Sequence, residues 1–160
     1  MLATRRPLSL SSDNVTYPGY AWEPRTGSCY KFHRAAQPWD AALATCRAEG
    51  AQLAVLNSDT ESEVLAAIFK KNPSYTITGT DTFFDARDYA LVGFADSYGH
   101  GTWTTIHGVS LAEAGFEGWA SGQPDHMLTG IERCGSIYRN GLLNNVNCFR
   151  KFAYICEITP

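Results

Sequence analysis

Apolar residues fall in short runs along this chain, and the spacing of the polar residues between them predicts the elements. Residues 1–16 are polar, rich in Ser, Thr and Arg and without apolar periodicity, so they read as a flexible N-terminal tail before a domain spanning 17–160. Cys29-Tyr30-Lys31-Phe32 alternates and is rich in aromatics, a strand signal. After Pro38, the residues Trp39, Ala42, Leu43 and Cys46 share one helical face, which Gly50 ends. Leu53-Ala54-Val55-Leu56 is a short apolar run, a strand or packed turn leading into a second helix. That helix opens on Ser58-Asp59-Thr60-Glu61, which has capping-box form, and carries Val64, Leu65, Ile68 and Phe69 at helical spacing before Asn72-Pro73 stops it.

The second half is patterned differently. Residues 74–88 are polar with scattered aromatics and read as a loop or an inserted hairpin, and Tyr89 to Phe94 reads as a buried strand. From Asp96 to about Ile131 the chain is rich in Gly, Ser, Thr and His, too long for an ordinary connection, and such loops usually carry function. Gly135-Ser136-Ile137-Tyr138 and Phe152-Ala153-Tyr154-Ile155-Cys156 are the closing strand signals. Two early helices followed by short strands around a long loop predict an α+β domain with one core.

Composition narrows the function. With 44% hydrophobic and 12% aromatic residues in 160, one packed core is well supplied. The 13 basic and 16 acidic residues give a net charge of −3 with no basic run, so no nucleic acid partner is expected. No apolar run approaches the roughly 20 residues of a membrane span. The first residues, Met1 to Pro7, have no apolar stretch behind their arginines and do not read as a secretory signal. Cys29, Cys46, Cys134, Cys148 and Cys156 lack CxxC or CxxH spacing, which disfavours zinc and favours disulfides in an oxidising compartment. The sequon Asn14-Val15-Thr16 points the same way, to a secreted, extracellular protein whose leader is expected outside this chain. No Ser/His/Asp grouping, phosphate-cradling glycine loop or paired catalytic carboxylate emerges, so an enzyme is not expected.

The chemistry concentrates between residues 119 and 148. Gln123-Pro124-Asp125, Glu132 and Asn144-Asn145 gather amide and carboxylate oxygens around an X-Pro bond and beside Cys134 and Cys148. Ca²⁺ takes roughly 6–8 oxygen ligands, and an incomplete protein shell leaves places for hydroxyls of an incoming ligand. Sugar binding is the hypothesis that follows.

The order of these pieces resembles the C-type lectin-like domain, from about Tyr17 to Glu157. The resemblance rests on Ser28 to Phe32, Trp39 with Ala42 and Cys46, Gly50 to Ala54, Leu91 to Phe94, Trp119 before Gly122-Gln123-Pro124-Asp125, Glu132 before Cys134, and Tyr154-Ile155-Cys156-Glu157. Thr105 to Gly108, Ala114 to Phe116 and Arg139 to Asn144 look most like secreted insect humoral lectins of the immulectin and hemolymph lipopolysaccharide-binding type, which bind microbial surface glycans. The resemblance implies a C-type lectin fold: two helices and short antiparallel sheets with a long calcium-binding loop. It implies disulfides Cys46 to Cys156 and Cys134 to Cys148, and loop entropy gives about 3 kcal/mol for a loop near 15 residues and about 4.7 for one near 100.

The same resemblance carries over a ligand set for one Ca²⁺ ion: Gln123, Asp125, Glu132, Asn144 and Asn145, with Pro124 cis. Gln123, Asp125, Glu132 and Asn144 would also bind the carbohydrate; His126, which directly follows Gln-Pro-Asp, either packs on the sugar ring or is a solvated loop histidine. Gln-Pro-Asp goes with galactose-type preference in this family. Where the family usually has Trp-Asn-Asp, this chain has Leu143-Asn144-Asn145, so the formal negative ligands fall from three to two and weak calcium binding is expected. At an auxiliary calcium site Asp96 fits, but His100 and Arg133 stand at acidic positions, so that site is not expected.

Other residues receive structural roles. Trp103 and Trp119 are expected to hold the long loop down, Trp39 to be helix core, and Trp22 to pack under the first strand. His33, His100 and His107 have no ligand spacing and fit surface or loop packing. Cys29 lacks the upstream partner of longer family members and is either a buried free thiol or a link to another chain. The partners expected are glycans of galactose type or microbial surface polysaccharide, with an oligomer or a fused domain supplying avidity. The alternative is a calcium-independent member that binds protein, lipid or lipopolysaccharide.

Overall fold

The alternating segment at Ser28 becomes the longest strand of the computed structural model, which describes residues 17–125 and 132–160. The proposed tail, residues 1–16, and His126 both lie outside the described residues. The strands are β1 (Ala21–Glu23), β2 (Ser28–Gln37), β3 (Gln52–Leu53), β4 (Tyr89–Ala95), β5 (Thr104–Thr105), β6 (Cys134–Tyr138), β7 (Leu143–Val146) and β8 (Phe152–Ile158). The helices are α1 (Trp39–Ala48), α2 (Asp59–Lys70) and the single turn α3 (Leu111–Ala114).

The strands form a sheet in the order β1-β2-β8-β4-β6-β7, with β3 also paired to β8 and β5 to β4. Pairing is antiparallel except between β4 and β8, where Ala90 and Leu91 lie beside Ala153 and Tyr154 in parallel. The period-two alternation of these two strands decides what each helix covers. Ala90, Val92, Ala153 and Ile155 pack with Val64, Leu65 and Phe69 of α2. Their neighbours Leu91, Phe152 and Tyr154 pack with Trp39, Ala42 and Cys46 of α1. The two helices therefore cover opposite faces of the central strands, and each fully buried Leu, Ile or Phe contributes about 1.5–3 kcal/mol.

Disulfides join Cys46 to Cys156, 110 residues apart, and Cys134 to Cys148, 14 apart. Cys29 is a buried free thiol on β2, and burial pushes its pKa up, away from the reactive thiolate. Trp22 departs from expectation: it sits in the three-residue edge strand β1 and is 37% exposed. Residues 74–88 are a loop and not a hairpin, with a 3-10 turn at each end, Ser74–Thr76 and Ala86–Asp88. Arg139 ties them down: its guanidinium pairs with Asp88 at 2.9 Å, donates to the carbonyls of Phe69, Asn72 and Arg87, and stacks 4.4 Å from the Phe69 ring. The long segment after Asp96 also contains regular structure, β5 and a capping box in which Ser110 and Glu113 bond reciprocally.

The capping box expected at α2 is only half made. Ser58 Oγ accepts from Glu61 N at 3.0 Å, but the Glu61 carboxylate turns into the core. There it accepts from Tyr30 Oη at 2.5 Å and Asn57 N at 3.1 Å, next to Glu157. Burial, followed by the charge of Glu157, pushes Glu61 from 4.5 up to about 7. The folded protein thus holds this proton more tightly than the unfolded chain does. The resulting stability is complete below pH 4.5 and is lost as pH rises through about 7. We predict that the chain loses on the order of 2 kcal/mol between pH 5 and 8, and that Glu61→Gln flattens this slope. Thermal midpoints at the two pH values measure it; equal slopes in both proteins would remove the carboxylate as the cause.

Candidate functional site

Segments far apart in sequence converge at the β7 end of the sheet. Leu143 N donates to Gly118 O and Ala120 N donates to Leu143 O, both at 2.9 Å, so residues 118–120 lie alongside β7. Trp119 in this segment packs edge-to-face with Phe94 and Trp103, so both long-segment tryptophans do hold it down. Gln123 N then closes a turn on Ala120 O, and the Gln123-Pro124 bond is cis. The disulfide at Cys134 and Cys148 fastens the start of β6 to the turn that follows β7.

These constraints bring Gln123, Asp125, Glu132, Asn144 and Asn145 into the lining of one cleft of about 290 Å³. Phe83, Tyr89, Asn147, Arg150 and Phe152 also line it, with Val146 of β7. The sequence reading did not place these six at the site; the aromatics scattered through 74–88 were the available signal for Phe83. His126 adjoins Asp125 but lies outside the described residues. Arg133 is not in the lining; its guanidinium lies against Gly99 instead.

Two buried polar atoms on residues lining this cleft, Gln123 Oε1 and Asn144 Nδ2, have no hydrogen-bond partner among the described residues. A buried orphan costs about 1–3 kcal/mol, so a bare acceptor and a bare donor on residues that line one cleft are suited to an incoming ligand. Burial raises the pKa of Glu132, the nearby charge of Asp125 raises it further, and Arg150 partly opposes them. Two neighbouring carboxylates, with an orphaned carbonyl oxygen alongside, fit a hard cation. Sugar hydroxyls, as donors and acceptors at once, fit the amide and carboxylate pairs.

Asn145 is engaged otherwise. Its Oδ1 accepts from Asp125 N at 2.8 Å, while its Nδ2 donates to Asp125 O at 2.8 Å and Glu132 O at 2.9 Å. One side chain therefore clips both flanks of the loop to β7. A carboxylate has no proton to donate to those carbonyls, so an amide is the chemistry this contact needs.

Elsewhere on the long segment, Asp96 accepts from the backbone N–H groups of Gly99, His100 and Gly101 at 3.0, 3.2 and 2.7 Å. Its oxygens shape a turn. His33 stacks on Tyr154 with ring centroids 4.4 Å apart and meets Glu49 at 3.1 Å; Cys156 is adjacent, but its sulfur is in a disulfide.

Comparison with known proteins adds the following. Residues 35–158 match the family described as Lectin C-type domain. The hemolymph lipopolysaccharide-binding protein of Periplaneta americana is 38% identical over 142 residues, covering 88% of this chain and 52% of its own length. Asialoglycoprotein receptor 1 of Rattus norvegicus is 30% identical over 140 residues, 85% of this chain and 43% of its own. This chain thus spans about half the length of the curated relatives it matches. Among solved structures, human lithostathine superposes with a TM-score of 0.75 at 19% identity, covering 99% of both chains.

Proposed function

The chain belongs to the C-type lectin domain family, and on that premise we propose that it binds microbial surface glycans of galactose type in the Gln123–Asn145 cleft, with calcium, outside the cell. Domains of this family are binding modules, not enzymes. The observation that carries the reading is the pair of buried, unpartnered atoms, Gln123 Oε1 and Asn144 Nδ2, beside the Asp125 and Glu132 carboxylates.

Gln123, Asp125, Glu132, Asn144 and Asn145 would hold the ion, and Asn145 would also position Asp125 and Glu132 by its three backbone bonds. Bound there, Ca²⁺ would supply a positive centre that accepts sugar hydroxyl oxygens. A coordinating hydroxyl would donate its proton to Asp125 or Glu132 and accept from the Asn144 amide. Galactose-type preference is supported by Gln123-Pro124-Asp125, and microbial targets and secretion by the hemolymph relative at 38% identity. Among the described residues, no helix is long and apolar enough to cross a membrane.

Calorimetric titration of Ca²⁺ with and without galactose, on wild type and Asp125→Ala, tests the proposal. Saturable binding with a dissociation constant of about 10⁻⁴ to 10⁻³ M is expected, lost in the variant and strengthened by galactose. A second reading, binding without calcium of a protein, lipid or lipopolysaccharide partner, draws support from the Asn145 clip, which fastens the loop with an amide. Absence of any heat up to millimolar calcium would favour it.

A further inference from the structure

Phe83 and its neighbour Phe84 have opposite fates although they adjoin in sequence. Phe83 packs edge-to-face on Phe152 with ring centroids 5.8 Å apart and lies 5.2 Å beneath the Arg150 guanidinium. Phe84 is 102% exposed. Its exposure is not that of a loose segment. Asp81 meets Arg150 at 3.7 Å and Lys151 N at 3.3 Å, Asp85 accepts from Tyr89 Oη at 2.9 Å, and Arg139 holds the turn at Asp88. The segment is tied at both ends and presents a flat apolar ring to water, where it contributes nothing to the core.

Phe84 stands on a second cleft, about 380 Å³, with Thr80, Asp81, Thr82, Arg87 and Asp88. Phe83 lines this cleft and the Gln123–Asn145 cleft as well, so the two adjoin at one residue. The combination of an exposed ring with hydroxyl, carboxylate and guanidinium groups matches a pyranose, whose C–H face stacks on an aromatic and whose hydroxyls exchange hydrogen bonds at the rim. Asp81 and Asp88 each hold one cationic neighbour and stay about a third exposed, 35% and 32%, so they remain reachable.

We propose that Phe84 and this second cleft form a saccharide subsite that takes a further residue of an oligosaccharide whose end occupies the Gln123–Asn145 cleft. The subsite rests on the glycan-binding reading above and extends it. It makes length, and not only the terminal sugar, a determinant of recognition.

The test compares methyl β-galactoside with a linear galactotetraose by calorimetry in millimolar calcium, on wild type, Phe84→Ala and Phe84→Tyr. Wild type should bind the tetraose about tenfold more tightly than the monosaccharide, the factor that covering one ring face yields. Phe84→Ala should remove that ratio while leaving monosaccharide affinity and the thermal midpoint unchanged, and Phe84→Tyr should keep it. Monosaccharide binding with no gain for the tetraose, or a gain that survives Phe84→Ala, overturns the subsite alone. Binding of neither sugar overturns both the subsite and the reading beneath it. If Phe84→Ala instead abolishes self-association in sedimentation and leaves the sugar ratio intact, the ring serves a contact between copies and the subsite is wrong.

Discussion

Gly141→Ala is expected to destabilise the protein by about 3–5 kcal/mol, more than an ordinary core truncation of one methyl group. Two effects combine. Gly141 has φ +84°, and a left-handed backbone costs an L-residue roughly 1–2 kcal/mol. A Cβ there would also overlap the carbonyl oxygen of Ser62 in α2, and neither partner is the movable end of a long side chain. Gly141 O accepts from Ser62 Oγ at 2.8 Å, so the hairpin that leads into β7 is seated directly on the helix. Gly27→Ala is the internal control: its φ is +72°, but nothing lies within 4 Å of the added carbon. That variant should lose only the backbone part. Urea midpoints for both decide the matter, and equal losses would show that the close approach to α2 carries no weight. Asn144 and Asn145 follow three and four residues on, so a displaced hairpin should weaken ligand binding as well.

Asn145→Asp should convert a loop fastened by hydrogen bonds into one that needs a cation. Without calcium the variant loses both Nδ2 donations and sets a carboxylate against the carbonyls of Asp125 and Glu132, near two further acids. That should cost about 2–4 kcal/mol, or roughly 5–15 °C in thermal midpoint. With calcium, the formal negative ligands rise from two to three, and affinity should rise about tenfold or more. Thermal melts in EDTA and in millimolar calcium separate the two effects, since wild type should show a small difference and the variant a large one. A variant that melts like wild type in EDTA would mean the amide clip is not what holds the loop. Unchanged calcium affinity would mean that ligand charge is not what sets it.

Sequence patterning predicted what depends on local periodicity. The faces of α1 and α2, the strands at Ser28, Tyr89, Gly135 and Phe152, and the α+β class are legible because buried positions recur at fixed intervals. The two disulfides followed from family resemblance, not from spacing. What was missed depends on tertiary context. β7, Leu143–Val146, has no alternation because all four residues are buried, two of them asparagines facing the cleft and its loop. Glu61 looked like a capping glutamate, and its true partners, Tyr30 and Glu157, are 31 and 96 residues away in sequence. The segment 74–88 hid its order because Arg139, 52 residues beyond Arg87 and 65 beyond Ser74, supplies it. At the site, the amides and acids around Gln123-Pro124-Asp125 were legible as a group. The hydrogen bonds Asn145 makes to Asp125 and Glu132 were not, since a ligand and a backbone clip use the same side-chain amide.

The position of β8 bears on how the molecule is made. This strand is bonded to β2, β3 and β4, yet it is the last of them to be synthesised. None of those ladders can begin until residues 152–158 exist, and contacts so distant along the chain fold slowly. While the nascent chain waits, the edges of β2 and β4 stand open, and Cys46 is reduced in the company of Cys29, Cys134 and Cys148. Its proper partner, Cys156, is the final thiol to arrive. Biogenesis is therefore a race between the ribosome and the oxidant, in which the correct sheet is what retires Cys29 from disulfide exchange.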